Sequence, residues 1–409
     1  MGSRIRNFSG GPGALPRVVL AEAQRAVEAL PGTELSILGL SHRSRLFRDM
    51  LDEAEELLRR LLELSPRHHV LFLQGGGTLQ FSMVPMAMLP PGRTADYVVS
   101  GYWSHKAAEA ARHHGLVRVA WDGSHDGFRR LPAPSLRFDR SDAAYLHYAS
   151  NETVEGLQFR WVPAAEAPVV CDASSDFLSG PLEVERLSLL YAHAQKNIGP
   201  AGVTVVLLRD DVLERIPSGL PPVLDYRAHV EARSILHTPP VFAIYVVLLS
   251  LRWLANDVGG LAQMGAINAA KAGIVRSALR TNHPFYVEDI EPGFESDMNV
   301  AFRCATPELD ALFVSRAEQA GFVGTEGHRS RGGLRVSLYN GVTLEDATAI
   351  AAFLSEFAHE HRCGPEDEAR RAKVLASPRS SVASVERPSS PVRPARRGTA
   401  IARRRAAAR

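Results

Sequence analysis

Short runs of consecutive apolar residues, each closed by a polar or glycine-rich turn and followed by a stretch of helical periodicity, recur along the first 255 residues. HVLFLQ runs into GGGT, ADYVVSG into YWSHKAAEAARHH and APVVC into DAS, and LSLLYAHAQKN precedes AGVTVVLLRDD. This pattern predicts alternating strands and helices around a mainly parallel sheet, an α/β fold. Sites in such sheets gather at the carboxyl ends of the strands. From about residue 256 the pattern changes to an amphipathic helix (GGLAQMGAINAAKAGIVRSALR), a strand in MNVAFRC, a second helix, the strand GLRVSLY and a final helix over Leu344–His361. The expected organisation is an N-terminal arm over 1–16, a large domain over 17–255, a smaller C-terminal α/β domain over 256–362 and a tail over 363–409. The tail repeats Ser, Pro and Arg without apolar periodicity, so it is predicted to be disordered.

Composition narrows this picture without naming a function. At 409 residues, 45% of them hydrophobic and 22% charged, the chain can bury more than one ordinary core. Its net charge of +2 is unevenly placed, because residues 374–409 carry nine Arg against the single acid Glu386. That local +8 leaves about −6 on residues 1–373, so the body lacks the basic excess of a nucleic-acid-binding protein and any such binding is expected of the tail alone. Cys171, Cys304 and Cys363 lie far apart with no CxxC pair, which points away from a zinc site or a disulfide framework and towards a reducing, cytoplasmic setting. The start MGSRIRNFSGGPG has no apolar signal segment, and the longest apolar run, Val241 to Leu251, is shorter than a bilayer span.

Candidate chemistry centres on Asp172 and Lys196, each of which follows an apolar run and so falls at the end of one of two neighbouring strands. A pyridoxal 5'-phosphate (PLP) enzyme needs a lysine for the cofactor aldehyde and a carboxylate beside the pyridine nitrogen. The same pair also reads as a turn-capping Asp and a solvated loop lysine. Gln74-Gly75-Gly76-Gly77-Thr78 adds a strand ending in glycines before a helix, whose first amides and dipole favour an anion such as a phosphate. It lacks the Gly-Lys-Ser/Thr of a P-loop and the GxGxxG of a dinucleotide fold, and a plain tight turn stays open. Trp103 offers a ring that can stack on a pyridine. His42 with Arg43, and His328 with Arg329 and Arg335, supply cations suited to carboxylate and phosphate groups, although each alone also reads as an ordinary surface residue.

The blocks NFSGGPGALP, LSHRS, FLQGGGTLQFSMVPMAML, SNETVEGLQF, CDASSDFLSGP, YAHAQKNIGPAG, HTPPVFAIY and GHRSRGGLRVSLYN follow one another in this order. Together they resemble phosphoserine aminotransferase over about residues 6–362. The resemblance implies the PLP-dependent transferase fold type I, class V. It implies that Lys196 forms the Schiff base and moves a proton between substrate and cofactor, that Asp172 pairs with the pyridine nitrogen, that Trp103 stacks on the ring and that Thr153 lies at its edge. Gly77, Thr78 and Gln195 would hold the cofactor phosphate, joined by His237 and Thr238 from the other subunit of a homodimer. Arg335 would take the α-carboxylate, and His42, Arg43, His328 and Arg329 the phosphate of phosphoserine or the distal carboxylate of glutamate. The implied reaction passes an amino group from L-glutamate to 3-phosphohydroxypyruvate, in serine biosynthesis, with a related substrate of the pyridoxine pathway as a further expectation.

The chain departs from the family pattern at three places, with His237 where Asn is common, Leu79 where glycine is usual and His193 where a small residue is common. A leucine avoids positive φ, so the helix after the glycines is expected to start early or the loop to shift. The departures also leave open a paralogous aminotransferase acting on another keto acid, and the basic tail a protein that acts by binding nucleic acid or an acidic partner.

Overall fold

Seven strands build the central sheet: β1 (His68–Gln74), β2 (Thr94–Val99), β3 (Leu116–Asp122), β4 (Ala143–Ala149), β5 (Val169–Asp172), β6 (Leu189–His193) and β7 (Val203–Arg209). The computed structural model describes residues 4–362, and the disorder expected of 363–409 lies outside the described residues. Across the sheet the order is β1-β7-β6-β5-β4-β2-β3. All neighbours run parallel except that β7 is antiparallel to both β6 and β1. The mainly parallel sheet read from the apolar runs is therefore present, and LSLLYAHAQKN and AGVTVVLLRDD form its one antiparallel excursion.

Alternation along each strand sends side chains to opposite faces, and helices make both faces apolar. Val70, Phe72, Cys171, Leu190 and Val205 pack with α1 (Arg17–Glu28), α2 (Arg45–Leu62) and the later helix over Val241–Arg252. Leu71, Leu73, Tyr97, Tyr145, Val170 and Tyr191 face α3 (Gly77–Met88) and α4 (Tyr102–Ala111). Asp172 has the parity of Val170, so it ends β5 on the α3/α4 face.

The helix from Val241, α5, is longer than its apolar run suggests, because a π-type turn carries it on through Trp253–Val258. The resulting 18-residue segment is long and apolar enough to cross a membrane by length and composition, yet Ala243 to Leu251 are buried in the core. It packs on α1 and α2 as a core helix of the sheet layer. The chain turns out of it at Gly259 and Gly260, both at positive φ, three residues beyond the 255/256 division expected from the sequence pattern.

A third apolar cluster joins α6 (Leu261–Thr281), α7 (Pro307–Gln319) and α8 (Leu344–His361) to a small antiparallel sheet of β8 (Tyr286–Val287), β9 (Asn299–Cys304) and β10 (Leu334–Ser337). The N-terminal arm belongs to this layer, since Arg6–Asn7 pairs in parallel with Phe322–Val323 and Phe8 is fully buried in the cluster. Residues 4–362 lie within one compact unit.

Lys271 of α6 pins the loop after β10. Its fully buried Nζ donates to the carbonyls of Leu338, Tyr339 and Val342, each at 2.9 Å. Lys271→Met would strand these carbonyls, and is expected to lower the unfolding free energy by about 3–5 kcal/mol. Urea denaturation with an unchanged m-value is the check.

Candidate active site

The topology places Asp172 and Lys196 side by side. β5 and β6 are parallel neighbours with Asp172 opposite Tyr191, and Lys196 follows β6 within a tight turn. Lys196 is 7% exposed, its Nζ donates to Thr153 Oγ1 at 2.6 Å and it lies 5.6 Å from the Trp103 ring centroid. Burial lowers its pKa to about 8, with the Arg335 charge pushing the same way and Asp172 opposing. A substantial neutral fraction near pH 8 makes Nζ a nucleophile and a proton carrier. The solvated-lysine reading is thus excluded by burial.

Asp172 is buried too, and burial raises its carboxyl, while the Ser174 amide, donating at 2.9 Å, and the nearby Lys196 charge pull it back. The cleft around this pair holds about 460 Å³ open to solvent, and its walls include Gly77, Thr78, Trp103, Asp172, Gln195 and Lys196. Gly77 opens α3, so its amide and that of Thr78 belong to the first turn, where no intrahelical acceptor exists. Gly75, at φ +109°, takes the left-handed turn, and the helix starts at Gly77, leaving Leu79 helical and partly exposed. Leu79 thus lies in the first turn of the helix and needs no positive φ. His193 also lines the cleft, covering Gly76, and burial lowers its pKa to about 4, so it is neutral there.

Trp103 is held by two acids that reading the motifs did not single out. Glu152 accepts from the Trp103 and Ser104 amides, each at 2.9 Å, and Glu155 from the Tyr102 amide at 3.2 Å, so both carboxyls sit at the positive end of α4. Burial beside Glu152 pushes Glu155 up to about 8. The unfolded chain loses that proton near the ordinary carboxylate value, so Glu155 makes stability fall as pH rises from about 4.5 to about 8. Glu155→Gln removes this penalty: the melting temperature of the variant relative to wild type is expected to climb across that window, and a gap independent of pH contradicts the assignment.

Arg335 enters from β10. Its Nη1 donates to the Thr153 carbonyl at 3.4 Å and its Nε is buried with no hydrogen-bond partner among the described residues. The arm passes so close that a Cβ on Gly10 would meet the Arg335 guanidinium, so any larger residue there would push that group from its place. His328, in the loop leading to β10, packs its ring on Tyr102 at 4.7 Å, and Tyr102 meets Trp103 edge-on at 5.1 Å. Burial together with the Arg335 and Arg329 charges lowers the His328 pKa and favours its neutral ring, which places the three side chains in one neighbourhood. Arg329 itself is exposed.

Four expected positions are not brought in by this chain alone. His42 is half-buried and Arg43 exposed just before α2, with no hydrogen bond or ion pair to Arg335, His328 or Arg329 among the described residues. His237 packs edge-on against His229 at 5.9 Å, and neither it nor Thr238 lines the Lys196 cleft.

These residues fit PLP. A buried lysine, a buried carboxylate, a flanking indole and first-turn amides match its aldehyde, ring nitrogen, ring face and phosphate, and the orphaned Arg335 Nε awaits an acceptor such as a carboxylate. A model of the family described as aminotransferase class-V matches residues 5–350. The phosphoserine aminotransferase of Laribacter hongkongensis is 45% identical over 357 residues, covering 87% of this chain and 99% of the relative. Among solved structures, the phosphoserine aminotransferase of Bacillus circulans subsp. alkalophilus has a TM-score of 0.85 at 40% identity, covering 88% of this chain and 99% of its own. The PLP-bound phosphoserine aminotransferase of Trichomonas vaginalis has a TM-score of 0.80 at 34% identity, covering 86% and 99% respectively. By its sequence, its fold and the residues gathered around Lys196, the chain belongs to the class-V aminotransferases, in the phosphoserine aminotransferase family.

Proposed function

We propose that the chain is a PLP-dependent transaminase that moves an amino group between L-glutamate and 3-phosphohydroxypyruvate, forming O-phospho-L-serine and 2-oxoglutarate in serine biosynthesis. The observation that carries this reading is Lys196, a buried amine of lowered pKa facing Asp172 in a cleft floored by the start of α3. When bound, PLP supplies an electron sink for the charge left on the substrate α-carbon.

The protein's own residues do the rest. Lys196 would hold the cofactor, and its Nζ then carries the α-proton, with Thr153 Oγ1 fixing where that amine rests. Asp172 would face the ring nitrogen, Trp103 would cover the ring, and Gly77, Thr78 and Gln195 would receive the phosphate. The free Nε of Arg335 offers a second parallel N–H to a substrate carboxylate, while Arg329 extends positive charge, and the neutral His328 ring a hydrogen bond, toward its distal end. Glutamate and phosphoserine are both anionic at two ends, so one cationic clamp can serve both.

The active unit in this reading is a homodimer. Support comes from the position of His237 and Thr238 outside their own cleft, available to serve the partner's, and from the exposed Val18, Leu20, Val27, Leu35 and Leu38 around α1. His42 and Arg43 would complete the clamp in that assembly. The C-terminal layer acts as the smaller domain that presents Arg335, and the enzyme works in the cytoplasm.

A substrate panel tests the choice of acid. With glutamate as donor, kcat/KM for 3-phosphohydroxypyruvate is expected to exceed that for hydroxypyruvate by at least about 100-fold, since the clamp loses its charged partner in the plain acid. Preference for the plain acid would overturn the substrate assignment in favour of a paralogous transaminase.

A further inference from the structure

Behind Asp172, on the α3/α4 face of the sheet, lies a row of buried polar rings that the reaction as described does not use. Tyr191 on β6 stands opposite Asp172, and His147 on β4 stands opposite Val170, so both side chains rise on the same face as the Asp172 carboxyl and meet above β5. His147 Nε2 lies 2.8 Å from Tyr191 Oη, and Tyr191, beside Asp172 in the register of β5 and β6 and on the same face, acts to lower the Asp172 carboxyl's pKa. Tyr97 on β2, in register with His147, stacks on its ring at 4.8 Å and 27° and bonds Tyr145 Oη at 2.9 Å.

The direction of the protons follows from the donors available. His147 is 2% exposed and burial holds it neutral, so it carries one ring proton. Its Nδ1 is buried with no hydrogen-bond partner among the described residues. A proton there would be an unsatisfied donor, so it belongs on Nε2, where Tyr191 Oη accepts it. The Tyr191 hydroxyl proton is then free to be donated onward to Asp172, a hydrogen bond that favours the ionised carboxylate. Apolar packing surrounds the row, and in a low-dielectric setting such a chain strengthens each of its links.

We infer that His147 and Tyr191 are positioning residues of the transaminase, a fixed hydrogen-bond relay that holds Asp172 ionised and oriented as the acceptor for the protonated ring nitrogen of the cofactor. The inference rests on the cofactor-facing role of Asp172 proposed above. Without the Tyr191 donor the Asp172 carboxylate would be more basic and a poorer ionised partner for the protonated ring nitrogen that bound PLP would present, which would weaken the electron sink. His147 acts through Tyr191 and touches neither cofactor nor substrate.

The test compares full-length wild type with Asp172→Asn, Tyr191→Phe, His147→Phe and the double variant, each loaded with PLP. Three readouts are taken: PLP affinity, the pH titration of the absorbance of bound PLP, and kcat against KM. Phe keeps ring size in Tyr191→Phe, and near-UV circular dichroism with thermal unfolding confirms that each variant is folded.

Tyr191→Phe is expected to bind PLP, to shift the absorbance titration in the same direction as Asp172→Asn but less far, and to lower kcat about tenfold with KM within about twofold. His147→Phe shifts it the same way by less, and the double variant matches Tyr191→Phe, because the relay is already broken at the nearer link. A folded Tyr191→Phe protein whose titration and kcat match wild type, or a double variant whose effects add, overturns the relay while leaving the role of Asp172 intact. If Asp172→Asn itself leaves the titration where it was, the cofactor-facing role of Asp172 is wrong and the relay falls with it.

Discussion

Lys196→Ala is expected to lower transaminase turnover by about 10⁴-fold or more, because one amine supplies both the attachment point and the proton carrier. The structure explains why no neighbour takes over. Nζ is enclosed by the Thr153 hydroxyl and the Trp103 ring, and Arg335, whose charge acts on it, is a guanidinium that stays protonated and carries no proton between carbons. The variant should still fold, since removing a buried amine of lowered pKa relieves a desolvation cost. Unchanged thermal unfolding together with lost turnover is the expected pair of results. An absorbance spectrum of the PLP-treated variant that matches wild type contradicts the assignment.

Asp172→Asn is expected to cost about 10²–10³-fold in kcat, with a smaller change in KM, because it removes a charge aimed at where positive charge is held during the reaction and leaves the substrate clamp untouched. The side chain keeps its shape and its contact with the Ser174 amide, so geometry is preserved and the loss reports electrostatics. A variant that raises KM with kcat unchanged would move Asp172 from the cofactor to the substrate. The two substitutions are predicted not to add, since both act on one reacting unit.

Most of the sheet was legible because its strands are buried on two faces and so appear as unbroken apolar runs between glycine turns; VVCD and LLYAH became the neighbouring strands that the positions of Asp172 and Lys196 required. The final helix, Leu344–His361, has the bounds its periodicity predicts. The strand order was not legible, because the antiparallel placement of β7 between β6 and β1 is a tertiary pairing with no local signal. Glu152 and Glu155 sit in SNETVEG, which reads as a polar loop, and nothing local shows that both carboxyls fold in against the start of α4. His147 and Tyr191 stand inside apolar strands, where an aromatic or a histidine reads as core, and their meeting depends on register. Gly10 and Arg335 approach across the length of the chain, so what a side chain at position 10 would displace appears only once the arm is docked. The clamp is the converse case. Its members were visible as Arg and His side chains, yet the fold gathers Arg335, His328 and Arg329 and gives His42 and Arg43 no bond to them among the described residues, because residue type is local information and convergence is not.

The central claim is that a buried, lowered-pKa Lys196 opposite Asp172 drives phosphoserine transamination. Its most direct test is glutamate-dependent formation of O-phospho-L-serine from 3-phosphohydroxypyruvate by the full-length, PLP-loaded protein, run beside Lys196→Ala. Phosphoserine is expected to accumulate with wild type and not to rise above background with the variant. No phosphoserine from the folded, PLP-loaded wild type, or equal amounts from both proteins, would contradict it.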